Sequence, residues 1–300
     1  MEAFSGQVGW RKHRFLTIFL GFLVAVAPLK IHAEFAVNEV ADAFFGPHLL
    51  HEGGDGLALG DAYGLQYQYL QVIQSQLGLR RGFKVAMTSA SSQQRFGLTE
   101  PLFGQFLEQM LISSPAQLPV GFGAHGLVEA DLLVRVADVG INAVTDIDDL
   151  LVHLDAVIPF VELPDPLWSG QLTAAKLVAV NCGARYGVLG EPITLDGDDD
   201  WHQRLAAFEV DLFDPNGKIL GSGTGEDLLG HPLKVVFWLL QHLRERGDRL
   251  QPGDVISLGS LTRPLAPELG RYKAVYRDLD PSGPVSVTVD FVKNQQAVTP

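Results

Sequence analysis

Two acids, Glu129 and Asp131, stand inside the apolar run Val128-Glu129-Ala130-Asp131-Leu132-Leu133-Val134, and a third, Glu162, inside Ile158-Pro159-Phe160-Val161-Glu162-Leu163-Pro164. The first run reads as a strand, whose two-residue period puts Glu129 and Asp131 on one face, about 7 Å apart along it. Like charges held side by side call for a cation. Hard divalent ions take oxygen ligands, and Mg2+ is held by a few carboxylates while waters and substrate oxygens complete its shell. The expectation is an open Mg2+ or Mn2+ site ligated by Glu129, Asp131 and Glu162. A strand with a solvated acidic face is the alternative. Glu162 favours the metal, because its apolar neighbours leave little wet surface for an acid.

The elements that must position these acids read as follows. Leu65, Tyr69, Val72, Ile73 and Leu77 repeat at helical spacing between Asp61 and Gly78. Short β-rich runs follow: Phe83 to Met87, Val128 to Val136, Lys176 to Val180, Ala206 to Phe213, Lys218 to Gly221, Val255 to Leu258 and Val285 to Val292. Phe213-Asp214-Pro215-Asn216-Gly217-Lys218 predicts a hairpin turn. Thr145-x-x-Asp148 predicts a helix start, the helix running towards Val157, and Gly230-His231-Pro232 predicts another reaching about Arg246. His231 is read as a helix-start residue. The chain has no internal repeat or evident linker. It reads as an α+β protein with a helical N-terminal arm over 34–80 and one catalytic domain over 81–300.

Composition sets limits. The chain has 300 residues, of which 47% are hydrophobic, with 32 Gly and 17 Pro, which fits a strand-rich enzyme scaffold and argues against disorder. A net charge of −13 argues against nucleic acid as a partner. The single cysteine, Cys182, excludes an intrachain disulfide and reads as a small buried apolar residue. Residues 1–33 read as a signal peptide: Arg11, Lys12 and Arg14, then an apolar run from Phe15 to Pro28, then Ile31-His32-Ala33 as a cleavage site. That run is too short for a membrane span. The expectation is export to the periplasm or beyond, with no stable membrane span after cleavage. A misassigned start, giving a cytoplasmic enzyme, is the alternative.

Several segments together resemble the hydratase/decarboxylase branch of the fumarylacetoacetate hydrolase superfamily, and among its members 2-oxopent-4-enoate hydratases. They are Phe83-Lys84-Val85-Ala86-Met87-Thr88, the stretch from Gln93 to Gly104, Val128-Glu129-Ala130-Asp131, Pro159-Phe160-Val161-Glu162, the stretch from Asn181 to Gly190, Leu229-Gly230-His231-Pro232-Leu233 and Pro252-Gly253-Asp254. The resemblance implies a mixed β-sandwich or roll with flanking helices. It also implies metal ligands at Glu129, Asp131 and Glu162, and a strand lysine at Lys84 that donates a proton or orients substrate. Thr88, Asn181, Gly230 and Ser260 are implied to bind substrate, a small anionic 2-oxo or 2-hydroxydienoic acid, within a homo-oligomer. The implied reaction is hydration of a 2-hydroxydienoate through a metal-stabilised enolate, giving a 4-hydroxy-2-oxo acid. Decarboxylation of a 2-oxo acid or hydrolytic C–C cleavage would use the same enolate.

The chain departs from the hydratase pattern in several places. Asp131 replaces a longer Glu, Ala86 a Gly, Leu258 a Thr, and Leu167 falls where an arginine is expected. Lys176 stands where hydratases carry Asp, as in the hydrolase and decarboxylase branch, and is expected to share proton handling with Lys84. A non-catalytic carboxylate-binding protein is a further alternative. Gly221-Ser222-Gly223-Thr224-Gly225 reads as a tight turn and residues 196–200 as a solvated acidic turn. The loop Gly53-Gly54-Asp55-Gly56 is either a lid over the site or a plain loop.

Overall fold

A computed structural model of the chain describes residues 37–51, 53–196 and 200–293, all within one compact unit. The leader expected at 1–33 lies outside the described residues, as does most of the acidic turn at 196–200. No helix among the described residues is long and apolar enough to cross a membrane.

Two sheets form the frame. The larger has the order β2 (Leu102–Leu107), β1 (Arg80–Ala86), β11 (Val255–Ser257), β5 (Glu129–Val136), β6 (Leu154–Leu163), β7 (Tyr186–Leu189) and β3 (Leu111–Ser113), with β8 (Ile193–Thr194) also paired to β6. The smaller runs β10 (Ile219–Thr224), β9 (Glu209–Phe213), β12 (Gly270–Arg277), β13 (Val285–Val292) and β4 (Ala116–Pro119). Alternation along β5 divides its two faces. Ala130, Leu132, Val134 and Val136 join Val210, Leu212, Ala274, Val287 and Val289 in the core between the sheets. That core also takes the apolar stripe of α6 (Pro232–Glu245). The other face of β5 carries Glu129, Asp131 and Leu133, all buried, and Leu133 shares a second apolar cluster with residues of α1 (Val37–Phe45), α2 (Leu59–Leu77) and Trp168. Both faces are therefore buried, which is why acids on β5 cannot be solvated.

The expected arm helix is present as α2, ending at Gly78, and the helix after Gly230 is present as α6. His231 caps α6, its Nδ1 accepting from the Leu233 N–H at 3.1 Å. The turn at 213–218 joins β9 to β10, with Gly217 in the left-handed region at φ 80°. Two local expectations are corrected. Lys176 to Val180 lies in a helix, α4 (Ala174–Ala179), because the Thr173 hydroxyl caps the Lys176 N–H at 3.2 Å and starts a turn that β-branched composition disguised. The helix expected from Thr145 is two short 3-10 turns, Ile147–Asp149 and Leu151–His153, followed directly by β6. Pairing of β6 with β5 along its length overrides a weak local helix signal. Two further short helices, α3 (Ala90–Phe96) and α5 (Trp201–Ala207), lie in connections.

β2 is an edge strand, and unpaired edges invite association with other chains. Here side chains take the place of a neighbouring strand. Gln66 Nε2 donates to the Phe103 carbonyl at 2.9 Å and to Val178 at 3.0 Å, and the Tyr63 hydroxyl accepts from the Phe103 N–H. Asn181 accepts from the Gln105 N–H at 2.7 Å and donates to its carbonyl at 2.8 Å. Gly104 makes this possible, since a Cβ there would stand 2.5 Å from the Asn181 carbonyl oxygen.

Candidate active site

Strand register brings the three acids together. Glu129 on β5 is directly opposite Glu162 on β6, and Asp131 lies one side-chain step along the same face. The register Lys84 to Ser257 and Ser257 to Leu133 puts Lys84 and Ser257 on that face too. Lys84 and Glu162 are three strand spacings apart, roughly 14 Å across a flat sheet. Their side chains nevertheless meet, Lys84 Nζ standing 2.5 Å from Glu162 Oε1, so the sheet curls around this group. All four charged side chains are buried, with Asp131 and Glu162 fully enclosed.

One ammonium faces three carboxylates, and the electrostatics record the imbalance. Burial first, and the Glu162 charge second, push the Glu129 carboxyl well above its ordinary range. The same two causes raise Asp131 to about 8, with hydrogen bonds from Ser257 and Leu132 pulling the other way. Burial alone would lower Lys84, but the charges of Glu162 and Glu129 overcome it and hold the ammonium protonated. Neither Glu162 oxygen accepts a well-directed hydrogen bond. Buried carboxylates that lack donors and repel one another are completed by a cation, and their oxygen donors suit Mg2+ or Mn2+.

The three acids are not equivalent as ligands. Asp131 Oδ1 accepts from the N–H groups of Leu132 at 2.5 Å and Gly259 at 3.0 Å, and Oδ2 from the Ser257 hydroxyl at 2.5 Å. A carboxylate has about four lone-pair positions, so Asp131 retains about one. Accordingly, no group of three or more His, Cys, Asp or Glu among the described residues already converges as a metal cage. Glu129 and Glu162 keep the larger coordinating capacity, and Glu129 accepts from the Ser260 hydroxyl. Ser260 is exposed, so its hydroxyl links the buried group to the surface at this edge.

The other expected residues divide. Thr88 is buried against Gly259, where φ is +104° and a Cβ would stand 2.1 Å from Thr88 Oγ1. The Thr88 carbonyl also accepts from Leu229 N–H, one residue before Gly230, tying the 229–230 turn to the end of β1. Asn181 spends its amide on Gln105. Lys176 places Nζ 2.7 Å from Asp55 Oδ1 and 4.8 Å from the centre of the Trp168 ring. Cys182 is buried as expected, its thiol pushed up to about 12 by burial. A cavity of about 570 Å3 between α2, β2 and the end of α6, lined by Tyr63, Gln105 and Arg246 among others, contains none of the three acids.

Sequence reasoning missed Ser257 and Gly259 as donors to Asp131, although both flank Leu258, where the chain departs from the hydratase pattern. It also missed Tyr276. This fully buried side chain reaches from β12 across the core and inserts its hydroxyl between β5 and β6, 2.6 Å from the carbonyls of both Asp131 and Phe160 and 3.1 Å from Phe160 N. A tyrosine in a strand of alternating apolar residues gives no sign of such a reach.

No model of a known protein family matches the chain. It is 26% identical to a 4-oxalocrotonate decarboxylase of Pseudomonas putida over 212 residues, 70% of this chain and 78% of that one. It is 28% identical to a 2-keto-4-pentenoate hydratase of Burkholderia vietnamiensis strain G4 over 181 residues, 60% of this chain and 67% of that one. Among solved structures, the 4-oxalocrotonate decarboxylase of Pseudomonas putida G7 complexed with magnesium and adipate superposes with a TM-score of 0.74. That match has 22% identity and covers 85% of this chain and 95% of the other. A fumarylpyruvate hydrolase of Pseudomonas aeruginosa in complex with Mn2+ and pyruvate gives 0.52 at 15% identity, covering 72% and 91%. The resemblance read from the sequence is thus matched twice: in sequence the chain is similar to decarboxylases and hydratases of that branch, and in fold to a 4-oxalocrotonate decarboxylase and a fumarylpyruvate hydrolase.

Proposed function

We propose that this protein is a metal-dependent hydro-lyase that adds water to a 2-hydroxydienoate or 2-oxo-alkenoate, giving a 4-hydroxy-2-oxo acid. The observation that carries the reading is the buried Lys84–Glu162 contact at 2.5 Å beside the cross-strand Glu129. It joins a proton donor, a proton acceptor and carboxylate oxygens suited to a divalent ion in one enclosed place. The similarity to named hydratases supports it. Glu129 and Glu162 would hold the metal, with Asp131 contributing its remaining lone pair. When bound, Mg2+ or Mn2+ stabilises the enolate form of a 2-oxo acid and orients its carboxylate.

The protein's own groups supply the proton steps. Lys84 Nζ holds a proton that can pass to the far carbon of the dienol, giving the conjugated 2-oxo-alkenoate. Glu162, paired with Lys84, can accept a proton from the water that then adds at C4. Net, one water enters, both carbon–carbon double bonds of the dienol are lost and the C2 carbonyl is gained. The enol proton and the proton Glu162 takes from water balance those added at the far carbon and at C3. Enclosure strengthens each of these charge interactions relative to water.

A decarboxylase reading is the second. The structural match to 4-oxalocrotonate decarboxylase and the lysine at position 176 favour it. Both readings are tested by one experiment: loss of 2-hydroxypenta-2,4-dienoate ultraviolet absorbance with Mg2+ or Mn2+, run beside Glu129→Ala and an oxaloacetate decarboxylation assay. The expected result is metal-dependent dienoate turnover that the substitution abolishes. Decarboxylation without hydration selects the second reading, and metal binding without any turnover selects a carboxylate-binding protein.

A further inference from the structure

Tyr276 meets the β5–β6 ladder at one particular step. The Ala130 and Leu132 carbonyls accept from Leu261 and Leu258 on one side, and the Pro159 carbonyl accepts from Gly190 on the other. The main-chain groups of these residues therefore face outwards. By the alternation of an antiparallel pair, those that face each other belong to Asp131 with Phe160 and to Glu129 with Glu162. The Tyr276 hydroxyl is lodged at the first of these pairs. It accepts from the Phe160 N–H at 3.1 Å and aims its one proton at the Asp131 and Phe160 carbonyls, 2.6 Å from each. The next facing pair along the ladder is Glu129 and Glu162, the two acids with the larger coordinating capacity.

This oxygen comes from the other sheet. Tyr276 belongs to β12, and its ring is fully buried in the core beside Phe208. Asp131 is thereby held at both ends, its carbonyl by Tyr276 and its carboxylate by Leu132, Ser257 and Gly259. Two carboxylates that share one cation need their strands at a set separation, and a hydroxyl lodged one step away supplies a fixed spacer.

We propose that Tyr276 is a positioning residue for the metal: its hydroxyl fixes the separation of β5 and β6 beside Glu129 and Glu162, and so fits that pair to a small divalent cation. The inference rests on the reading that the acidic group holds a divalent ion, and it adds a determinant of which ion. Mg2+ demands near-octahedral geometry with oxygens at about 2.0–2.1 Å, whereas Ca2+ accepts irregular shells at about 2.3–2.6 Å. A change in strand separation therefore weakens Mg2+ more than Ca2+.

The test is calorimetric binding of Mg2+ and of Ca2+ to the full chain, to Tyr276→Phe and to Tyr272→Phe. Both substitutions remove one oxygen from a buried ring on β12 and keep the ring. The Tyr272 hydroxyl accepts from the Glu268 N–H at 2.8 Å, outside the β5–β6 ladder. Tyr276→Phe should bind Mg2+ about tenfold more weakly with a smaller loss for Ca2+, and Tyr272→Phe should change neither. Unchanged Mg2+ binding, equal losses for the two ions, or the same shift in Tyr272→Phe would each overturn the proposal. Phe208→Leu keeps the hydroxyl and loosens the seat of its ring. It should shift the preference towards Ca2+ by less, and it decides the matter if Tyr276→Phe fails to fold. A wild type that binds neither ion sinks the metal reading together with this inference. Dienoate turnover is scored separately: its absence beside a shifted ion preference sinks only the hydratase reading.

Discussion

Two groups of buried polar side chains lie on neighbouring strands of the same sheet, and they differ in how completely they are satisfied. At the β2 edge, Gln66, Tyr63 and Asn181 meet the main-chain groups of Phe103 and Gln105 with hydrogen bonds of 2.7 to 3.2 Å. Between β1 and β6, three carboxylates face one ammonium, and neither oxygen of Glu162 has a directed donor. Buried polar groups that are fully paired hold a fold together, and unpaired ones cost stability unless a ligand completes them. The contrast separates scaffold from chemistry more sharply than residue type does, because Asn181 looks no less functional than Glu162 in the sequence.

The most severe test of the contrast is Lys84→Met, which strips the acidic group of the ammonium paired with Glu162. Urea denaturation of the metal-free variant should show a loss of about 3–5 kcal/mol, part of it restored by Mn2+ through mass action. Unchanged stability would mean that Glu162 is not charged in the fold. Glu162→Gln keeps the shape and removes the acceptor. Turnover should fall roughly 100-fold or more and Mn2+ affinity should drop in the same preparation, and retained Mn2+ affinity would remove Glu162 from the ligand set.

A pH titration probes the same imbalance without mutation. Asp131 has a folded value of about 8 against an ordinary 3.8, so the folded protein holds a proton that the unfolded chain has lost. Stability of the metal-free protein should therefore fall as pH rises from about 4 to about 8. Asp131→Asn should flatten that slope, and an unaltered slope would assign it to other groups. The smallest effect is expected at the satisfied edge. Asn181→Ala should cost about 1–3 kcal/mol by leaving the Gln105 N–H and carbonyl unpaired, with Mn2+ affinity unaltered. Weaker substrate binding at full stability would instead return Asn181 to the substrate site.

The acidic face was legible because period-two alternation is a property of the strand itself: Glu129, Asp131 and the apolar residues between them place two acids on one face of any strand. Their partner could also be named, since Glu162 sits in a run too apolar for the surface. What Asn181 binds was not legible, because its partner Gln105 lies 76 residues away and the pairing depends on β2 being an edge. The helix at Lys176 turned on one hydroxyl, that of Thr173, against the β-branched look of the residues after it. At Thr145 the opposite occurred: local capping was outweighed by a strand partner that no local window contains. The reach of Tyr276 requires knowing that two sheets face each other.

The meeting of Lys84 with Glu162 depends on the curl of the larger sheet, and that curl rests on what fills the space behind it. The side chains of Leu132, Val134, Val287 and Val289 pack in the core on the opposite side of the sheet from the charged side chains, yet their volumes fix how far β1 and β6 bend towards each other. The distance between proton donor and acceptor is thus a mechanical output of the hydrophobic interior. One methyl group gained or lost on the far side of the sheet would retune the acid–base pair as a change of tension retunes a bow.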